Sequence, residues 1–310
     1  MSTKNSKNKE EKFKLKDSFS ILKEAAIGWN NSDPFRLSAV IAYYAVLSMP
    51  ALLVIIVNLL GLIWGNEVIE GRLSAQLSSV LGTDSAEAVS SMIENSRTEN
   101  SSILFSIIGI GSLLFGATGV FFHLQISLNK VWNLKPNPDA TWKRLVIDRV
   151  LSFGFVLVLG FLLLITFVLS AAMTAFSDKL KTIFPDIMVT LAQIADGVLS
   201  LAVVTVLFAL IFKYLPHAKI RWRSVWVGAI LTSILFIAAE YALGFYFSQV
   251  EPGSTYGSAG SIILILLWVS YASLILFFGA EVTYVFAKRY SKGVQPTEAA
   301  VKEKAAQKAA

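Results

Sequence analysis

No cysteine occurs in this 310-residue chain, and histidine occurs only twice. The first absence excludes disulfides, thiolate metal sites and thiol nucleophiles, although it does not identify a compartment. The second leaves few general bases. There is no HExxH, Walker A or GxSxG spacing, and each of those chemistries needs its groups at fixed intervals. Asp139 and Asp148 lie among Lys135, Lys143, Arg144 and Arg149, which does not resemble a carboxylate cage for two metal ions. The expectation is a chain that is not an enzyme, with no catalytic residue, no metal and no cofactor. Without an ATP site, any pumping must use a gradient or a partner.

Charge is scarce too, at 15% of residues, whereas 55% are hydrophobic and the mean hydropathy is +0.63. The apolar residues are clumped into six runs, Leu37–Ile63, Ile103–Leu128, Leu145–Phe176, Ile187–Phe212, Val225–Phe247 and Ser261–Ala287. Each is long enough for a helix rising about 1.5 Å per residue to cross a hydrocarbon layer of about 30 Å. They are too long and too uniformly apolar for barrel strands, and in lipid a helix satisfies its own backbone. The expected fold is all-α: a polytopic membrane protein with six transmembrane helices and short interfacial amphipathic helices. It divides into a segment 1–36, a membrane domain 37–290 that carries a helical loop 65–102, and a tail 291–310. No cleaved signal peptide is expected, because the first apolar run follows some 36 largely polar residues.

With Arg149 assigned to the loop before the third run, Lys and Arg number 8 before the first run. They then number 2, 5, 2, 4 and 0 in successive loops, and 6 after the last run. Basic residues near membrane ends are retained inside, so this alternation puts both termini in the cytoplasm and the 65–102 loop outside. The net charge of +6 then reads as orientation and contact with membrane lipids rather than nucleic acid. A homo-oligomer or an envelope partner protein stays open.

Leu15, Phe19, Leu22, Ala26 and Trp29 recur at helical spacing near Lys12, Lys14, Lys16 and Lys23, the pattern of a helix lying on the inner leaflet. A helix packed on the cytoplasmic loops is the alternative. Asp33-Pro34 reads as an N-cap and first-turn proline for the first span. In the outer loop, Val68, Leu73, Leu77 and Val80 suggest one amphipathic helix ended by Gly82. Ala86, Val89 and Ile93 suggest a second, with Asp84 and Glu87 in capping-box spacing. After Gln295 the chain is rich in Ala, Lys and Glu, so a disordered or weakly helical tail is expected.

Three segments resemble the YihY/BrkB family of bacterial inner-membrane proteins over about Ala25 to Tyr290. They are Ala42-Tyr43-Tyr44 with Ser48-Met49-Pro50; Gly116-Ala117 with Leu128-Asn129-Lys130-Val131-Trp132; and Tyr256-Gly257 followed by Leu267-Trp268 and Gly279-Ala280-Glu281. Two positions depart from the pattern, since similar proteins often carry an amide at Leu274 and a basic residue near Glu240. The resemblance implies fold and location. Some members were once labelled a ribonuclease, and envelope or lipid-related export is suggested for others.

An ionisable side chain near a helix centre costs at least about 2.5 to 3.5 kcal/mol on insertion scales, so those in the runs need a reason. Asp196 and Glu240 each lie roughly 10 to 14 Å from the outer ends by helix rise. They line a polar cavity that binds a proton or cation, or each is a neutral acid bonded to a neighbouring helix. His123 and Glu281 form a second level pair towards the inside. They contact each other, or Glu281 turns to Lys288 or Arg289. Ser112, Gly116, Gly119, His123 and Ser127 fall on one stripe, suited to close helix approach or to a polar lumen. Tyr44, Ser48, Ala51, Ile55 and Asn58 share a face, and Pro50 is expected to kink their helix, as a border of a transport site or as ordinary structure. Gln125 and Asn129, beside Trp132, read as interface anchors.

The leading expectation is a transporter or exporter of a lipid-like or other envelope substrate, coupled to a proton or ion gradient. A non-transporting envelope scaffold or assembly factor is the alternative, and ribonuclease activity is disfavoured.

Overall fold

The structure, a computed structural model, describes residues 15–65, 119–137, 185–250, 260–297 and 300–302, with isolated positions between 67 and 91 and at 147, 150 and 154. A 3-10 turn, Leu15–Asp17, leads into α1 (Ser18–Asn31) and α2 (Pro34–Trp64). Residues 119–131 form helix α3. It is followed by β1 (Leu134–Pro136), α4 (Pro185–Tyr214), β2 (Ala218–Lys219), α5 (Trp222–Val250), α6 (Gly260–Tyr290), β3 (Gln295–Pro296) and β4 (Ala300–Lys302). The first, fourth, fifth and sixth apolar runs thus coincide with α2, α4, α5 and α6 within a few residues. The second is described only at its C-terminal end, in α3, and most of the third lies outside the described residues. Positions 67, 69–71, 73–75, 87 and 90–91 of the long loop are helical; Gly82 and Asp84 lie outside the described residues.

Among the described residues, Gly197–Tyr214, Trp222–Phe247 and Ile262–Tyr290 are long and apolar enough to cross a membrane, and Pro34–Met49 is a shorter apolar stretch. The exposed face of α5 has the pattern of a span. Trp222 and Trp226 stand at one end, Ile230 and Ile234 follow, and Tyr241 and Phe245 stand at the other, all of them exposed. Trp226 and the exposed Tyr246 are separated by about 30 Å of helix, close to the hydrocarbon thickness, which puts amphipathic rings at both boundaries.

Two local expectations are corrected. Asp33 does not cap α2. Its backbone is left-handed, at φ 62° and ψ 55°, and no side-chain cap bond forms; its carboxylate pairs with Arg36 instead. An N-cap needs extended backbone to aim its oxygen at the first-turn N–H groups. Pro34 does occupy the first turn, where its missing N–H costs nothing. α2 runs as one continuous helix through Pro50.

The second correction concerns the tail, in a fold that is mostly helical among the described residues. The segment after α6 turns at Gly293, whose φ is 70°, and then forms two strands. β3 pairs antiparallel with β2, Ala218 opposite Pro296 and Lys219 opposite Gln295. β4 pairs antiparallel with β1, Leu134 opposite Lys302 and Pro136 opposite Ala300. The loops after α3 and α4 offer backbone N–H and C=O groups, and the C-terminal segment satisfies them.

Candidate functional site

Three consecutive residues of α6 each engage a different helix. Gly279 faces α5, where a Cβ built on it would lie 1.6 Å from Thr232 Oγ1. The relation is reciprocal, because a Cβ on Gly228 would lie 1.7 Å from Thr283 Oγ1 and 2.9 Å from the Gly279 carbonyl oxygen. Each threonine hydroxyl donates to the carbonyl one turn back in its own helix, Thr232 to Gly228 at 2.6 Å and Thr283 to Gly279 at 2.8 Å. Both hydroxyls are therefore satisfied while the side chains fill the opposing glycine notches, the close approach that small residues permit between membrane helices. The register, 228 opposite 283 and 232 opposite 279, makes α5 and α6 antiparallel.

Ala280 is fully buried, and its carbonyl accepts a 2.9 Å bond from Trp132 Nε1 at the end of α3. Glu281 faces α1. A Cβ on Gly28 would lie 2.1 Å from its Oε1 and 2.7 Å from its Cδ, so the carboxyl occupies the space a side chain at position 28 would take. Glu281 is 5% exposed, and its Oε2 is buried without a hydrogen-bond partner among the described residues.

α1 runs antiparallel along the C-terminal half of α6. Trp29 Nε1 donates to the Leu274 carbonyl at 3.1 Å, and its ring meets Phe278 edge-on. Ile21 and Ala25 are buried against Val282, Val285 and Phe286. Further along, Glu24 accepts bonds from Lys288 (3.1 Å) and Arg289 Nε (3.0 Å), Arg289 Nη1 donates to Ser20 at 3.0 Å, and Tyr290 donates to Asp17 at 2.8 Å. Partial burial raises the pKa of Glu24, but the bonds and charges of Arg289 and Lys288 outweigh it and hold the carboxyl below its ordinary value. The helix thus docks on α6 through its Ile21, Ala25 and Gly28 face. Phe19, Leu22 and Ala26 of the apolar stripe remain exposed.

His123 stacks on Tyr44, with ring centroids 3.6 Å apart and planes at 17°. A Cβ on Gly119 would lie 3.4 Å from Ser48 Oγ, and Ser48 is buried. The polar face of α2 and the small-residue stripe of α3 therefore meet each other. Glu240 lies half-buried on α5, in the same turn as the exposed Tyr241. Asp196 is on α4 and Pro50 and Asn58 are on α2; their side chains lie outside the described residues.

Gln125, Asn129 and Trp132 are buried rather than set at an interface. Gln125 Nε2 donates to the Leu215 carbonyl at 2.7 Å, Asn129 Oδ1 accepts from the His217 backbone N–H at 2.8 Å, and Asn129 Nδ2 and His217 Nδ1 are 3.3 Å apart. These amides clasp the turn between α4 and α5, whose backbone groups would otherwise be left unsatisfied in the interior. Gly28 is the residue of this site that pattern-reading passes over. Its signal is a glycine inside an amphipathic helix, where it costs roughly 0.5 to 1 kcal/mol relative to alanine.

The family described as virulence factor BrkB matches residues 26–304. A UPF0761 membrane protein of Psychromonas ingrahamii is 25% identical over 249 residues, which cover 78% of this chain and 79% of that protein. One from Delftia acidovorans is 29% identical over 176 residues, 56% of this chain and 40% of the relative. One from Rhodospirillum centenum is 24% identical over 276 residues, 87% of this chain and 58% of the relative. The chain thus spans about half the length of the last two. No solved structure matches it.

Proposed function

The chain belongs to the virulence factor BrkB family of membrane proteins, and from that premise we propose that it exports a lipid-like envelope substrate across the bacterial inner membrane. It crosses six times with both termini in the cytoplasm, and transport is coupled to a proton or cation gradient. No catalytic step or cofactor is assigned to it.

Glu281 carries this reading. A carboxyl placed inside a candidate span, sealed by α1 and with one oxygen lacking a donor among the described residues, is an expensive arrangement that transport can use. Glu240, half-buried on α5, supplies a second carboxyl.

The test is movement of a fluorescent phospholipid analogue in proteoliposomes under an imposed pH gradient. The wild-type protein moves the label, and Glu281→Gln, which keeps the shape and removes the titration, abolishes the part of the rate that the gradient drives. No movement under either sign of gradient would overturn the export reading.

A second reading is a non-transporting scaffold. It is favoured by the way Thr232, Thr283 and Trp132 spend their polar groups on joining helices.

A further inference from the structure

Aromatic residues stand at both ends of the exposed α5 stripe, but in the chain directly flanking α5 Lys and Arg stand at only one. No Lys or Arg occurs between Arg223 and Lys288, and no Asp or Glu occurs between Asp196 and Glu240. The end that holds the α4–α5 turn therefore concentrates Lys213, Lys219, Arg221 and Arg223 without an acid nearby in the sequence. Lys219, Arg221 and Arg223 are exposed.

Three aromatic rings form a run at the same end. Tyr214 meets Trp222 edge-on at 6.0 Å, and Trp222 stacks with Trp226 at 6.1 Å. All three remain open, at 55%, 41% and 39% exposure. Lys213 Nζ lies 5.5 Å from the Trp222 ring centroid and donates to the Ile220 carbonyl at 2.6 Å, so one cation is held against the rings. The turn that carries the others is ordered by the Gln125 and Asn129 clasp and by pairing with β3.

We propose that this aromatic and basic patch is a binding site for the headgroup of an anionic phospholipid. Boundary anchoring accounts for aromatic rings at both ends of a span alike. Retention of basic residues inside puts the cations on this side, but it does not require them beside a contiguous run of exposed rings. A phosphodiester supplies oxygens that guanidinium groups bind in a fork, while the rings cover the glycerol and the first carbons of the acyl chains. Each basic residue near an acidic headgroup contributes about a fivefold change in partitioning, so the two arginines together set a preference of at least about tenfold. The site holds whether or not the chain transports anything.

The test uses the full chain in detergent, with lipid retention counted by native mass spectrometry. Phosphatidylglycerol and phosphatidylcholine with identical acyl chains are the probes. The wild-type protein retains phosphatidylglycerol about tenfold better. Arg221→Gln with Arg223→Gln brings the two lipids close to parity, and Trp222→Leu with Trp226→Leu lowers phosphatidylglycerol retention severalfold. Tyr241→Leu with Phe245→Leu, at the opposite end of α5, leaves the preference in place. Equal retention of both lipids by the wild-type protein would overturn the proposal without needing any variant to fold. So would an unchanged preference in the arginine double variant, loss of the preference in the Tyr241 and Phe245 variant, or displacement of the lipid by millimolar inorganic phosphate.

Discussion

Glu281 and Gly28 share one space: the carboxyl of the first stands where a side chain on the second would begin, with Oε1 2.1 Å from the position of a Cβ. The contact joins α1 to α6 at a point where neither residue has room to be larger.

Gly28→Ala is therefore expected to destabilise the docking of α1 by about 1 to 3 kcal/mol, the usual cost of overpacking. In a Glu281→Ala background the same change becomes neutral, or stabilising by roughly 0.5 to 1 kcal/mol through helix propensity. Hydrogen exchange of the α1 amides in all four proteins of the cycle measures the coupling. Additive effects would show that the two residues do not share the space.

Gly228→Ala is expected to cost more than a typical glycine replacement in a membrane helix. Its Cβ would meet not only the Thr283 hydroxyl but also the Gly279 backbone oxygen at 2.9 Å, which no rotamer change can relieve. A loss of about 2 kcal/mol or more, read from thermal unfolding in detergent, is the expected result, and Thr283→Ala does not restore it.

Glu24 makes α1 docking sensitive to acid. Its pKa in the folded protein lies below the ordinary 4.5, so its contribution is complete above that value and is lost as pH falls through the folded value. The side chain is 36% exposed, and solvent screening limits the effect to about 1 kcal/mol at most. The absence of native cysteine makes the measurement direct: thiol labelling at Ala25→Cys, which is buried, relative to Ala26→Cys, which is exposed. The ratio is expected to rise between pH 5 and 3, and Glu24→Gln removes most of that rise and raises the ratio at neutral pH.

Truncation after Val294 removes both C-terminal strands. Tryptic cleavage at Lys219, the partner of Gln295, is expected to accelerate severalfold while membrane insertion is unchanged. Equal cleavage of the full and truncated chains would show that β3 does not protect the loop between α4 and α5.

Polar residues separated in the chain turned out to group by helix contact. Tyr44 with Ser48, and Gly119 with His123, were readable as stripes because helical periodicity is local; that the stripes meet follows only from packing. Gln125 and Asn129 look like interface anchors from their position near a span end. Their burial depends on a turn some 90 residues later in the chain.

What the sequence determined by itself is the set of apolar helices α2, α4, α5 and α6 and the amphipathic character of α1. A hydrocarbon layer imposes length and composition on each segment separately, so no partner need be known. Tertiary structure alone decided which face of α1 is covered, why Gly279, Ala280 and Glu281 stand in that order, and that the Ala and Lys-rich C-terminal segment forms strands. Those outcomes depend on a notch, a donor or a strand edge supplied by a distant residue, and such complementarity has no period in the chain from which to read it.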